Sequence, residues 1–129
     1  GIRDFCLSRG LGDAYKRQMV YGTMGGDGQP QTQAAVFTRY AVFGQAVQQA
    51  ITAPRWLLGR TWGQSSDSLK LESRFAPEII DGLRKLGHEV DVIAEFDEMV
   101  GHAAAIVRDA DGIFAGGFDP RSNGIAAGF

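Results

Sequence analysis

The residues of this chain best suited to chemistry lie in the run Tyr21-Gly22-Thr23-Met24-Gly25-Gly26-Asp27-Gly28-Gln29-Pro30-Gln31. Apolar residues lead into a cluster of glycines, and a helix-compatible stretch follows at once. Glycine has no Cβ and tolerates positive φ, so such a turn can swing its backbone N–H groups toward a bound group. Two successive N–H groups at the mouth of a helix suit an anion or a developing oxyanion. Gly25 and Gly26 are the candidate donors. A glycine pair also serves as a plain tight turn, and the residues alone leave both uses open.

Other chemically capable residues read as structural. His88 and His102 are the only histidines, and neither stands at a metal-ligand spacing, so no metal and no cofactor is expected. His88 follows Gly87 after a helix, where a cation favours the dipole; His102 reads as a structural histidine rather than an acid–base group. Asp97, Glu98, Asp109 and Asp111 read as turn acids. Asp119-Pro120-Arg121 places opposite charges around a rigid proline, and is expected to tie the last strand to its sheet. Trp56 and Trp62, with Arg55 and Arg60 beside them, read as packing residues before stacking platforms.

Three ordered motifs add a resemblance. Gly22-Thr23-Met24-Gly25-Gly26-Asp27-Gly28-Gln29-Pro30-Gln31 comes first, and Ala50-Ile51-Thr52-Ala53-Pro54-Arg55-Trp56 follows it. Gly116-Gly117-Phe118-Asp119-Pro120-Arg121-Ser122-Asn123-Gly124-Ile125-Ala126-Ala127-Gly128 closes the series. Together they resemble the C-terminal part of the small subunit of the γ-glutamyltransferase family, from about Gln18 to Phe129. The resemblance implies an α/β (α+β) fold, here an incomplete four-layer αββα sandwich of the N-terminal-nucleophile hydrolases. It also implies a precursor that cleaves itself into two subunits, whose new N-terminal Thr attacks a γ-glutamyl amide such as glutathione and passes the acyl group to water, an amino acid or a peptide. In that family the glycines matching Gly25 and Gly26 supply the oxyanion-hole N–H groups.

The Thr that opens the family's small subunit has no counterpart here. Thr23, Thr32, Thr38, Thr52 and Thr61 are internal and offer no free α-amine as base. The expected partners are therefore the large subunit or remaining portion of the same precursor, and a γ-glutamyl small molecule. The chain alone is expected to be inactive. Two alternatives stand beside this reading: a glutaryl or cephalosporin acylase-like amidohydrolase, and a catalytically inactive fragment that only binds its missing subunit. Residues 1–17 fall outside the family pattern. Their run Gly12-Asp13-Ala14-Tyr15-Lys16-Arg17-Gln18 is similar to a translated sequencing adapter, so 1–17 are read as a non-native leader and 18–129 as the family portion. Cys6, Arg9, Lys16 and Arg17 therefore receive no functional weight.

Definite elements must position the glycine turn. Met19-Val20-Tyr21 reads as the end of a strand entering it. Thr32 to Ala53 reads as a helix broken near Gly44, with Val36, Tyr40, Phe43 and Val47 as one apolar stripe. Pro54 ends it. Arg55 to Arg60 and Ser68 to Arg74 read as short strands around a loop, with Leu69 and Leu71 on one face and Lys70 and Glu72 on the other. Ala76-Pro77-Glu78 opens a second helix, with Ile79, Ile80, Leu83 and Leu86 as its buried stripe and Gly87 as its cap. Glu89 to Phe96 reads as a strand. Ala103 to Arg108 and Ile113 to Phe118 are joined at Asp109-Ala110-Asp111-Gly112 as a hairpin.

Composition bounds the rest. A length of 129 residues suits one unit with a real core. A net charge of −2 gives no electrostatic case for nucleic acid or an anionic membrane surface. No stretch reaches the ~18 apolar residues of a membrane span. One cysteine cannot form an intrachain disulfide. The compartment is left open.

Overall fold

Alternation along the strand Gln18–Met24 (β1) decides which of its faces meets the core. Met19, Tyr21 and Thr23 are half-buried, while Val20, Gly22 and Met24 are exposed. The computed structural model describes residues 18–60 and 65–128. The expectation for residues 1–17, and that for Trp62, lie outside the described residues.

β1 is followed by a 3-10 turn at Gly26–Gly28 and by helix α1, Gln29–Ala41, with Pro30 in its first turn. A second helix, α2, spans Val47–Thr52 and stops before Pro54. The break between α1 and α2 lies where Gly44 takes φ 68. Then come β2 (Trp56–Leu58), β3 (Leu69–Glu72), helix α3 (Pro77–Lys85) and β4 (Val90–Ile93). The hairpin β5 (His102–Arg108) and β6 (Phe114–Phe118) closes the series. Asp109 builds its turn by accepting from the N–H groups of Asp111 and Ile113 at 2.9 and 2.8 Å.

The strands form two sheets. β1 pairs antiparallel with β5 and β5 with β6, so β5 is central. β3 pairs antiparallel with β2 and parallel with β4. Helices α1 and α2 cover one face of the first sheet: Val36, Val47 and Ile51 pack against Ala103, Ala105 and Val107. The result is mixed α+β, one helical layer over one sheet, with the second small sheet beside it.

Among the described residues, the opposite face of the first sheet is covered only at its Gly116–Phe118 end, by Gly124 and Ala126. Val20 is 61% exposed, Ile106 55% and Phe114 68%, and Val20 faces Ile106 in register. A contiguous apolar face of this kind marks a surface made to be covered. The chain expressed by itself is therefore expected to self-associate. Sedimentation that shifts with concentration checks this, and a monodisperse monomer with cooperative melting would overturn it.

Three periodicity readings need correction. The stripe Val36, Tyr40, Phe43, Val47 is split: Val36 and Val47 are buried on different helices, Tyr40 is half-buried, and Phe43 is 71% exposed in the break between them. In α3 only Ile80 is buried, with Ile79 at 49% and Leu86 at 78% exposed, because among the described elements α3 packs chiefly on β4. In β3 both faces are covered, so Lys70 and Glu72 are as buried as Leu71. The polar face expected there is an internal polar layer.

Candidate active site

The glycine turn opens where β1 and β5 end together, with Met24 opposite His102. Gly25 has φ 154 and ψ 24, and Gly26 has φ 53, backbone states that glycine accepts and side-chain-bearing residues resist. A ψ of 24° nearly eclipses the two nitrogens about the Gly25 Cα–C bond, so the N–H groups of Gly25 and Gly26 leave the same side of the chain. The Gly25 carbonyl accepts from the Gly28 N–H at 3.0 Å. Because the peptide is planar and trans, the Gly26 N–H points away from that turn. Gly25 is buried and Gly26 exposed.

Neighbouring strands hold this turn on two sides. Gln31, in the first turn of α1, grips β2 by accepting from Leu58 N–H at 2.8 Å and donating to its carbonyl at 3.0 Å. Behind the turn stands Gly101, whose φ is 83. A Cβ on Gly25 would lie 3.0 Å from the Gly101 Cα. Thr32, fully buried in α1, donates to the Val100 carbonyl at 2.8 Å and so ties this back wall to the helix.

The Gly101 carbonyl is in turn held by the guanidinium of Arg55. Arg55 is 1% exposed, and sequence reasoning missed its role. It pairs with Asp119, which also accepts from the Ala103 N–H at 2.7 Å and from Arg121 Nη1 at 3.0 Å. Arg121 reaches Glu72 at 2.7 Å through Nε, and Glu72 also accepts from the Arg55 N–H and from Arg74. The Arg74 guanidinium lies 3.8 Å over the Phe96 ring. The Asp119-Pro120-Arg121 run is thus the tie its charges implied, and it reaches further than the last strand. It links β6, β3 and the residue ahead of β2 into one buried network.

The charges in this network respond to burial first. Burial pulls Arg55 down to about 10, with the Asp119 carboxylate opposing the fall, so Arg55 stays cationic at neutral pH. For Glu72, burial alone pushes upward, but hydrogen bonds from Arg121 and the Arg55 N–H carry its pKa below the usual range. Asp119 likewise ends lowered: burial raises it, and the charge of Arg55 with the N–H groups of Ala103 and Arg121 outweighs that rise. These groups are paired structural ions, not poised acids or bases.

A second polar cluster resembles a serine–lysine nucleophile but is saturated. Lys70 Nζ donates to Gly59 O, Ser66 Oγ and Ser68 Oγ at 2.8, 2.8 and 2.9 Å. Ser68 Oγ donates to Asp91 at 2.6 Å, which leaves Ser66 as donor in the 2.8 Å contact between the two hydroxyls. Each hydroxyl proton is committed, so the cluster fastens the end of the loop to β3 and β4. Of the remaining candidates, Asp97 caps the turn before β5 by accepting from Met99 N–H at 2.9 Å, and His88 is exposed beyond α3. His102 stands half-buried at the head of β5, its Nε2 without a partner among the described residues. No group of three or more potential metal ligands occurs among the described residues. No helix among them is long and apolar enough to cross a membrane.

The solved structures this fold resembles place it in the N-terminal-nucleophile hydrolase class. Cephalosporin acylase from Bacillus halodurans superposes with a TM-score of 0.73 at 32% identity, over 83% of this chain and 19% of that one. The Bacillus anthracis transpeptidase CapD shares the fold, with a TM-score of 0.73 at 19% identity over 91% of this chain and 67% of its own. The gamma-glutamyltranspeptidase family model matches residues 11–129, and the chain belongs to that family. Among curated relatives it is 67% identical to an oxamate amidohydrolase proenzyme of Klebsiella pneumoniae, over 88% of this chain and 21% of the relative. It is 48% identical to the glutathione hydrolase-like YwrD proenzyme of Bacillus subtilis, over 88% of this chain and 22% of that protein. The chain therefore spans about a fifth of the length of these relatives.

Proposed function

We propose that this chain is the C-terminal portion of the small subunit of an autoprocessed amide-cleaving enzyme, in which Gly25 and Gly26 donate to the oxyanion. The observation that carries the reading is the turn itself: two successive glycine nitrogens on one side of the chain, at the head of α1, within the family-matched segment. As the nucleophile attacks the substrate carbonyl, its oxygen gains charge, and two fixed N–H donors stabilise that charge more than they stabilise the ground state. The nucleophilic Thr and the groups that clamp the acyl part belong to the rest of the precursor, which is this chain's partner. The family match begins at residue 11, within the segment read as a leader.

Two substrate readings are separable. The resemblance points to γ-glutamyl amides, with transfer to water or an amino acid. The 67% identity to an amidohydrolase, against 48% to the glutathione hydrolase-like relative, favours hydrolysis of a small carboxylate-bearing amide of the oxamate kind. Processed full-length enzyme should release ammonia from oxamate faster than it releases aniline from a γ-glutamyl anilide. The reverse order would return the glutamyl reading. Release from neither would overturn both, and turnover by the isolated chain would show that the nucleophile lies within it.

A further inference from the structure

The direction of the Gly25 N–H is set by residues outside the glycine pair. That N–H shares a peptide plane with the Met24 carbonyl, so whatever fixes the carbonyl fixes the N–H pointing the opposite way. Met24 is paired with His102 in the β1–β5 ladder, and two further groups hold its carbonyl. Thr23 Oγ1 donates to Met24 O at 3.0 Å. Gly101 closes the space behind it: a Cβ there would lie 2.5 Å from Met24 O, 3.1 Å from Thr23 Oγ1 and 3.4 Å from Thr32 Oγ1. Gly101 cannot retreat, because its own N–H donates to Glu98 O at 2.9 Å and its carbonyl is held by Arg55. Thr32, through Val100, fastens the same wall to α1.

We propose that Thr23 and Gly101 are positioning residues for the reaction, acting through the Met24 carbonyl to aim the Gly25 N–H at the developing oxyanion. The proposal rests on the oxyanion reading of the turn. It adds that the Thr23 hydroxyl and a glycine just ahead of β5 determine how well that donor works. The same bond explains a threonine at position 23, where valine would suit the strand equally well.

The test uses the full-length, processed enzyme and the better of the two amide substrates above. Thr23→Val removes the hydroxyl at nearly constant volume and should lower kcat by roughly 3–10-fold, the scale of one neutral hydrogen bond. KM and the melting temperature should hardly move, and Thr23→Ser should restore the rate. Gly101→Ala should lower kcat further, because the added methyl must push the Met24–Gly25 peptide aside. A Thr23→Val enzyme with unchanged kcat, or with a loss that Ser does not restore, overturns the proposal, as does a loss carried mainly in KM. Gly25→Ala in the same background separates the two ideas. If it leaves kcat intact, the oxyanion reading falls; if it is crippled while Thr23→Val is unaffected, only the positioning role falls.

Discussion

With the oxyanion role proposed for it, replacing Gly25 by alanine in the full-length enzyme should lower kcat by about 10²–10³, the usual scale when an oxyanion donor is lost, here by displacement. A methyl at Gly25 would lie 3.0 Å from the Gly101 Cα and 3.6 Å from its nitrogen, both backbone atoms that cannot swing aside. A φ of 154 with a ψ of 24 is in any case closed to alanine without strain. The turn must therefore reshape, and both donors move. Substrate binds before the oxyanion exists, so KM should change little, a signature that loss of simple binding would not give. Gly26 is a blunter probe. Its φ of 53 is the left-handed state, which alanine reaches at a cost of about 1–2 kcal/mol while keeping its N–H. Proline cannot reach that state at all, so Gly26→Pro would rebuild the turn as well as delete a donor. Near-normal turnover in a processed, folded Gly25→Ala enzyme would make this turn a structural one.

The backbone of the glycine turn was legible because its geometry has a local cause. Consecutive glycines between a strand and a helix announce a turn with unusual φ, and Gly25 and Gly26 adopt just such values. The hairpin was legible for the same reason, since Asp109 makes its turn from its own side chain. Tertiary partners carry no such local mark. Arg55 follows a proline and precedes a tryptophan, and nothing beside it names its partner, Asp119, which arrives from 64 positions away. Gly101 carries no local mark in the sequence, and only the pairing of β1 with β5 brings it behind Gly25. The misread stripes at Phe43, Ile79 and Leu86 share another cause. Periodicity reports that a face is apolar, not whether the described chain supplies its cover.

The largest stability effect should come from Glu72→Gln. Glu72 is fully buried and holds Arg121 by two bonds, Arg74 by one and the Arg55 N–H by another. Among the described residues, Arg39, Arg55, Arg74 and Arg121 are set against only Glu72 and Asp119 in this region, so neutralising one anion strands buried cations. Removing one partner of a buried ion pair commonly costs about 3–5 kcal/mol, a large part of the ~5–15 kcal/mol that holds a typical domain together. Arg74→Met should do far less, about 1 kcal/mol. Its side chain is 20% exposed, and its loss reduces the excess positive charge. The pH dependence follows from the lowered pKa values of Glu72 and Asp119. An acid whose pKa is lower when folded stabilises the fold above its unfolded pKa of about 4, and that contribution is lost as pH falls through the folded value. Arg55 works in the other direction. Depressed to about 10 when folded, it opposes folding at every lower pH, and that penalty shrinks only as pH rises beyond 10. Melting curves of the full-length enzyme should therefore be flat near neutrality and fall steeply only on the acid side. Glu72→Gln should lower the plateau and blunt the acid slope together. A variant that keeps the wild-type plateau, or one less damaging than Arg74→Met, would show that the network contributes little to holding β3, β6 and the glycine turn's back wall in place.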